Sequence, residues 1–208
     1  IFISMFGVDT KRFKSSRKIF QNRKRIIIGS NRNHEEIYNL ETLFKAANIL
    51  CKKRNDINFL IAGDGNLGKT FKNFVLKNKL TKNFKFLGSI SQEEMLEFYN
   101  SIDIYISTSL SDGGLAASTA EAMSFQRIVL VTDNSDNKLW INIGKNGFMF
   151  KNKDTNQLVK SIEYIISNKD KMIDISTSAR RTIVNNYSYE KEMEKVSNFY
   201  QIVLNKRF

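Results

Sequence analysis

The chain has 208 residues, 41% of them hydrophobic, enough for one substantial core and a size that fits one large domain or one domain with appendages. No run approaches the ~18 consecutive apolar residues of a membrane helix, and a single cysteine, Cys51, beside a single histidine, His34, excludes an internal disulfide, a cysteine-built zinc site and any histidine cluster. The formal net charge of +12 admits nucleic acid, an acidic membrane surface or an anionic ligand, although Lys, Asn and Ile are spread throughout as a general compositional bias.

Residues 1–24 read as an extended lead-in and a basic, polar connection, with a turn signal at Gly7-Val8-Asp9. Lys11, Arg12, Lys14, Arg17, Lys18, Arg23, Lys24 and Arg25 crowd this end, a pattern that suits contact with anionic lipid. The first residues lack a basic signal region and an initiator Met, so the expectation is a chain that begins inside a longer protein. Ile26-Ile27-Ile28 is a short apolar run of the kind that forms a buried parallel strand, ending at Gly29-Ser30-Asn31-Arg32. Leu40, Leu43, Phe44, Ala47 and Leu50 keep helical spacing over residues 39–53, with Asn39 as N-cap.

Residues 57–62 form the next predicted strand, closed by Gly63-Asp64-Gly65, and Phe71, Phe74, Val75 and Leu76 mark a helix. A third strand, 84–87, ends at Gly88; Ser91 and Glu94 make a capping box for a helix through Tyr99. Strands at 102–107 and 128–132 enclose a loop and a helix starting near Ser118; residues 133–137 read as a polar loop and Gly147-Phe148-Met149-Phe150 as a short edge strand. Helices are expected over 158–166, 172–184 and 189–204. Strands alternating with helices at this spacing predict a Rossmann-like, doubly wound parallel α/β sheet of about six strands with a C-terminal helix.

The stretch 108–132 carries the strongest ligand-site pattern. An apolar strand feeds the acidic, flexible loop Ser111-Asp112-Gly113-Gly114-Leu115, then a helix of small residues bearing one carboxylate, Glu121. Loops at the carboxyl edge of a parallel sheet lie beside helix N-termini that attract phosphate, and paired glycines let a ligand approach the backbone. A carboxylate one turn into that helix suits sugar hydroxyls, which donate, better than phosphate, which it repels. Arg32, just past a buried strand end, reads either as a solvated loop cation or as a phosphate partner. Asp64 reads as a turn residue, His34 as loop surface and Cys51 as helix packing.

Together these residues resemble the C-terminal half of a retaining glycosyltransferase of family 4 (glycosyl transferases group 1), with the GT-B fold. The resemblance rests on Phe6-Gly7-Val8-Asp9, Ile28-Gly29-Ser30-Asn31-Arg32, Ile61-Ala62-Gly63-Asp64-Gly65, Phe86-Leu87-Gly88, Glu121-Ala122-Met123 and Asn146-Gly147-Phe148, in that order over nearly the whole chain. It implies that residues 1–24 are an interdomain linker, 25–186 a nucleotide-sugar-binding domain, and 187–208 a helix that crosses back to a first domain holding the acceptor. By the same resemblance Glu121 holds the ribose and the backbone at Gly88, Ser89 and Ile90 reads the base. Gly29, Gly63, Gly65, Gly113, Gly114 and Leu115 line the donor, and Arg32 and Asp112 serve the reacting diphosphate and sugar. It further implies a UDP- or GDP-sugar donor, a glycan or lipid-linked acceptor, a cytoplasmic site with possible peripheral membrane contact, and no metal or other cofactor.

The sequence also departs from the family pattern. The first glutamate of the family's pair falls on Gly113, with Asp112 the nearest carboxylate, nine residues before Glu121. The family's lysine beyond the Gly-Arg loop is replaced within Ile37-Tyr38-Asn39-Leu40, and its Gly-x-Pro aligns with Gln126-Arg127-Ile128. An enzyme half that extends a polysaccharide or glycolipid is therefore weighed against a nucleotide-binding module that has lost transfer. Nucleic-acid binding rests on net charge alone, without interleaved aromatics.

Overall fold

The computed structural model describes residues 7–21, 24–134 and 136–205; Phe6, Arg23 and Ser135, which figured in the expectations above, lie outside them. Six strands form one parallel sheet: β1 (Ile26–Ser30), β2 (Ile57–Ala62), β3 (Phe84–Gly88), β4 (Ile104–Ser107), β5 (Ile128–Thr132) and β6 (Phe148–Phe150), in the spatial order β3-β2-β1-β4-β5-β6. Register runs Phe59↔Phe84 and Ile28↔Phe59 on one side, Ile28↔Ile104, Ile104↔Ile128 and Leu130↔Phe148 on the other. Strand order reverses between β1 and β4, so their outgoing loops diverge and leave a crevice at the carboxyl edge, the usual ligand position in such sheets.

The helices are α1 (Leu40–Lys53), α2 (Gly68–Lys77), α3 (Gln92–Ser101), α4 (Ala117–Ser124), α5 (Asn137–Trp140), α6 (Thr155–Ser167), α7 (Lys169–Asn186) and α8 (Tyr189–Asn205). They cover both faces of the sheet, because strands such as Ile104–Ser107 and Ile128–Thr132 are buried on both sides. Leu43, Phe44 and Leu50 of α1, Phe71 of α2 and Ile162 of α6 pack one core layer, with Phe44 stacked on Phe71 at 4.6 Å. Phe98 and Tyr99 of α3, Ala120 and Met123 of α4, and Ala179 and Ile183 of α7 pack the other.

The capping box at Ser91 is present with both of its hydrogen bonds. Three local features differ from the expectations. Asn39 does precede α1, but in left-handed backbone (φ 46°), and its Nδ2 donates to Thr42 Oγ1 at 2.9 Å, so its side chain caps no helix N–H. β4 begins at Ile104, since Ile102 is the C-cap of α3 with its carbonyl accepting from Arg17 and Arg127 (2.8 and 2.9 Å), while Asp103 leads into the strand, its N–H donating to Ile27 O at 2.7 Å. The polar run after β5 turns into the short helix α5, whose Asn137 is buried and donates to the Thr132 carbonyl at 2.9 Å.

The lead-in segment is anchored rather than loose. Val8 bridges Ser188, its N–H donating to Tyr187 O and its carbonyl accepting from Tyr189 N, each at 2.9 Å. Arg17 ion-pairs at 3.0 Å with Asp103, a fully buried carboxylate that also accepts from the N–H groups of Phe20 and Ile27 at 2.9 Å. Arg127, fully buried, donates to the carbonyls of Phe125, Ile102 and Arg17 at 2.7, 2.9 and 2.9 Å. A buried charge is costly unless its partners satisfy it: Asp103 has its ion pair, and the Arg127 guanidinium has its hydrogen bonds to these carbonyls. Gln126 sits at φ 56°, a left-handed backbone that favours glycine, and makes the turn that delivers Arg127. At the other end, Tyr200, Ile202 and Leu204 leave an exposed apolar face on α8.

Candidate functional site

Arg32 leaves the crevice end of β1 and is the hub of the site. Its Nε and Nη2 donate to Ser109 Oγ at 3.0 and 2.8 Å, its Nη1 donates to Ser118 Oγ at 3.0 Å, and it ion-pairs with Asp112. The ring of Tyr38 lies 4.6 Å from the guanidinium carbon. The β1–α1 loop is fastened over the end of β4 by Leu110 N donating to Ile37 O and Thr108 Oγ1 donating to Tyr38 O, both at 2.8 Å. Arg32 is therefore a fixed cation with its long side chain already ordered.

Glycines on the same edge divide into two kinds. A Cβ on Gly63 would stand 2.7 Å from the Arg32 carbonyl, and one on Gly65 2.6 Å from Glu35 Oε1, so both lie flat under the Arg32 loop. Gly29 is covered by α3, where a Cβ would stand 2.5 Å from Ile102 Cγ2. Their missing side chains are thus explained by protein packing. Gly88 and Gly113 face open space, with nothing within 4 Å of a Cβ position. Gly114 N donates to Asp136 Oδ2 at 3.0 Å, and the Leu115 side chain is buried in the core, leaving only its backbone toward the loop.

Asp112, not Gly113, brings the acidic group to Arg32. Its side chain is 7% exposed; burial pushes its pKa above the ordinary value, while the Arg32 charge pulls the other way. Oδ2 has no hydrogen-bond partner among the described residues. Just beyond, α4 starts at Ala117 with no side-chain cap on Ala116, so first-turn N–H groups and the positive end of the helix face this loop.

Glu121 lies one turn further along α4. Its Oε2 accepts from the Tyr99 hydroxyl at 2.8 Å; burial raises its pKa and that hydrogen bond opposes the rise. It borders a cavity of about 260 Å³ together with Asp9, Arg12, Phe13, Ile90 and Met95. Ile90 is half-buried there, and Ser89, next to open Gly88, is exposed. A larger recess of about 450 Å³, lined by Asn39, Thr42, Lys45 and Lys153 among others, contains none of the expected site residues. Fixed guanidinium, open glycine loop, helix N-terminus and carboxylate-lined cavity thus follow one another along the crevice.

The family described as "Glycosyl transferases group 1" matches residues 10–182. The chain belongs to that family. It is 23% identical over 205 residues to the putative glycosyltransferase EpsD of Bacillus subtilis (strain 168), covering 93% of this chain and 52% of that protein. It is 28% identical over 189 residues to the poly(ribitol-phosphate) alpha-N-acetylglucosaminyltransferase of Staphylococcus aureus (strain COL), covering 88% of this chain and 36% of that one. The chain therefore spans about half or less of the curated relatives it matches. In fold it is similar to Anabaena Alr3699/HepE, solved in complex with UDP, with a TM-score of 0.86 at 16% identity over 96% of this chain and 57% of that one.

Within this chain the structure brings Arg32, Asp112, Gly113 and Glu121 to one edge, with Tyr38 of the replaced segment stacked beside Arg32. Asn31, Tyr99, Tyr105, Ser109 and Ser118, which had no role assigned from the sequence, all hydrogen-bond within the site. Tyr99 and Tyr105 read as ordinary core aromatics in a helix and a strand, which they also are. Asp64 is the turn residue expected, its Oδ1 accepting from Gly65 N at 2.8 Å. His34 is a correction: expected on the surface, it is buried edge-on to Phe71 and Phe86 with ring centroids at 5.6 and 6.4 Å, drawn in because its backbone pairs with Asp64. Among the described residues no group of three or more His, Cys, Asp or Glu side chains could hold a metal ion, and no helix is long and apolar enough to cross a membrane.

Proposed function

We propose that this chain is the donor-binding half of a retaining glycosyltransferase that moves a hexose from a UDP- or GDP-sugar onto a glycan, polysaccharide or glycolipid. Residues 25–186 hold the donor. The segments 1–24 and 187–208 join this half to the part that holds the acceptor. The observation that carries the reading is Arg32 and Glu121 on one crevice: a fixed cation for a diphosphate, then a half-buried carboxylate for the ribose hydroxyls, joined by the N-terminal turns of α4. The UDP complex of the fold neighbour supports it.

In this reading the ionised Glu121 accepts from two ribose hydroxyls, and the backbone at Gly88, Ser89 and Ile90 meets the base beside the cavity. Arg32 and the first N–H groups of α4 hold the diphosphate. When the sugar–phosphate C–O bond breaks, the diphosphate leaves with the electron pair, and Arg32 stabilises the charge it gains. Asp112 and the backbone of Gly113 and Gly114 face the sugar, with Gly29, Gly63 and Gly65 giving the loops their close approach and Leu115 anchoring them. No metal has a part in this scheme. The protein acts in the cytoplasm, where exposed Lys11, Lys14, Lys24 and Arg25 suit peripheral contact with an anionic membrane. This half alone turns over no donor, because the acceptor is held elsewhere.

Calorimetry against UDP, GDP and their sugars tests the reading. Glu121→Ala should abolish nucleotide binding; unchanged affinity would refute the ribose role. A second reading, a binding module that has lost transfer, is motivated by Gly113 in place of a carboxylate and Tyr38 in place of a lysine. A donor that binds no tighter than its bare nucleotide would favour that reading.

A further inference from the structure

We propose that Tyr99 and Tyr105 are positioning residues: through Asn31 and Ser118 they tie the Glu121 carboxylate to the Arg32 guanidinium in one buried hydrogen-bond chain, so that both ends of a nucleotide diphosphate are read as a unit. The inference rests on the nucleotide reading of Glu121 and Arg32 given above. Both tyrosines are fully buried. A phenylalanine would fill the same space, so the hydroxyls are what require explanation.

The protons can be followed in one direction. Arg32 Nη1 donates to Ser118 Oγ at 3.0 Å. The Tyr105 hydroxyl has a single proton, and Asn31 Oδ1, 2.9 Å away, can only accept, so the proton goes there. The 2.9 Å contact between Ser118 Oγ and Tyr105 Oη then takes its proton from Ser118. Asn31 Nδ2 donates to Tyr99 Oη at 2.9 Å, an orientation also set by the Met95 sulfur at 3.0 Å. Tyr99 finally donates to Glu121 Oε2 at 2.8 Å, an ionised and nearer acceptor than the Ser118 carbonyl at 3.1 Å.

Every link hands its proton onward from the cation to the carboxylate. Such chains polarise cooperatively, and in a buried setting each bond stiffens its neighbours. A diphosphate drawing on Arg32 and a ribose drawing on Glu121 therefore act on the same chain, which is a physical basis for coupling two subsites. Removing the Tyr99 hydroxyl takes a donor from a carboxylate that burial already makes harder to ionise. The other groups facing Glu121 are Asp9 and Arg12 of the lead-in segment across the cavity and Tyr105 of β4, and Tyr99→Phe substitutes none of them.

The test is titration of UDP, with GDP in parallel, into the 208-residue chain and its Tyr99→Phe and Tyr105→Phe variants between about pH 5 and 8. Affinity is taken as the ratio of variant to unmodified chain, so that the nucleotide's own titration cancels. For Tyr99→Phe the expected result is binding roughly fivefold weaker at the alkaline end, with the deficit widening as pH falls because Glu121 takes up its proton earlier. Tyr105→Phe, which touches neither Glu121 nor Arg32, should weaken binding in the same direction, and the double variant should lose less than the product of the two.

A deficit independent of pH, or no deficit in either variant while Glu121→Ala weakens binding, would overturn the proposal and leave the nucleotide site standing. Unchanged binding in Glu121→Ala would overturn both. If a tyrosine variant lacks a cooperative thermal transition, Asn31→Ala and Ser118→Ala cut the same chain from half-buried positions, with the same expected and contrary results.

Discussion

Asp112→Asn offers a sharp perturbation, because it keeps the shape of the side chain and removes its charge. The Arg32–Asp112 pair is largely buried, with side chains 11% and 7% exposed. A diphosphate that reaches Arg32 has to share the guanidinium with this carboxylate. Charges about 8 Å apart at an effective dielectric of 20 repel by about 2 kcal/mol, and partial screening leaves about 1.4 kcal/mol, a tenfold change in affinity. Arg32 keeps its hydrogen bonds to Ser109 and Ser118 in the variant, so it stays in position. UDP should therefore bind about tenfold tighter to Asp112→Asn in calorimetry at neutral pH. A UDP-sugar should gain less, since the carboxylate that faces the sugar is gone. Equal or weaker UDP binding would refute the reasoning and mean that Asp112 orients Arg32 instead of competing for it.

Other outcomes follow from the same geometry. Tyr38→Ala should weaken UDP about threefold through the lost cation–π contact and leave uridine unaffected; equal losses for both would contradict a phosphate-side role. Asp103→Ala should cost roughly 3–5 kcal/mol in urea unfolding by stranding Arg17, and a loss below about 1 kcal/mol would contradict the account of the anchored lead-in segment. Burial holds the His34 pKa below its ordinary value; Lys72 adds to the effect, and Asp64 and Glu35 oppose it. The unfolded chain thus binds that proton more readily, so stability is full above about pH 6.5 and declines as pH falls below it toward the folded value. His34→Phe should lose less melting temperature than the unmodified chain on acidification, and an equal loss would assign the acid limb to other groups.

Much of this architecture was legible in the residues, and the reasons are physical. Parallel strands buried on both faces read as apolar runs such as Ile26-Ile27-Ile28 and Ile128-Val129-Leu130-Val131, and glycines mark where they end at the crevice. The Ser91–Glu94 box announced its helix because capping is local chemistry. What stayed hidden depends on distant partners. Nothing in Gln126-Arg127 signals a fully buried arginine, because its acceptors come from residues far along the chain. The exit of α3 overrode an apolar pattern at Ile102, whose carbonyl is taken by Arg17 and Arg127.

Register in the site was half legible. The sequence leaves open whether Asp112 or Gly113 stands where the family has a carboxylate; the structure turns Asp112 toward Arg32 and Gly113 toward open space. Tyr99 and Tyr105 could not be assigned to the site from their spacing, since aromatic residues at buried positions are ordinary core, and only the hydroxyl partners set them apart.

The most direct measurement is a crystal structure of the chain with UDP, or with GDP if that binds tighter. The account predicts the diphosphate against Arg32 and the first turn of α4, the ribose hydroxyls on Glu121, and the base beside Gly88, Ser89 and Ile90. A nucleotide seated in the recess near Asn39 and Lys153, or one whose ribose leaves Glu121 bound only to Tyr99, would contradict it.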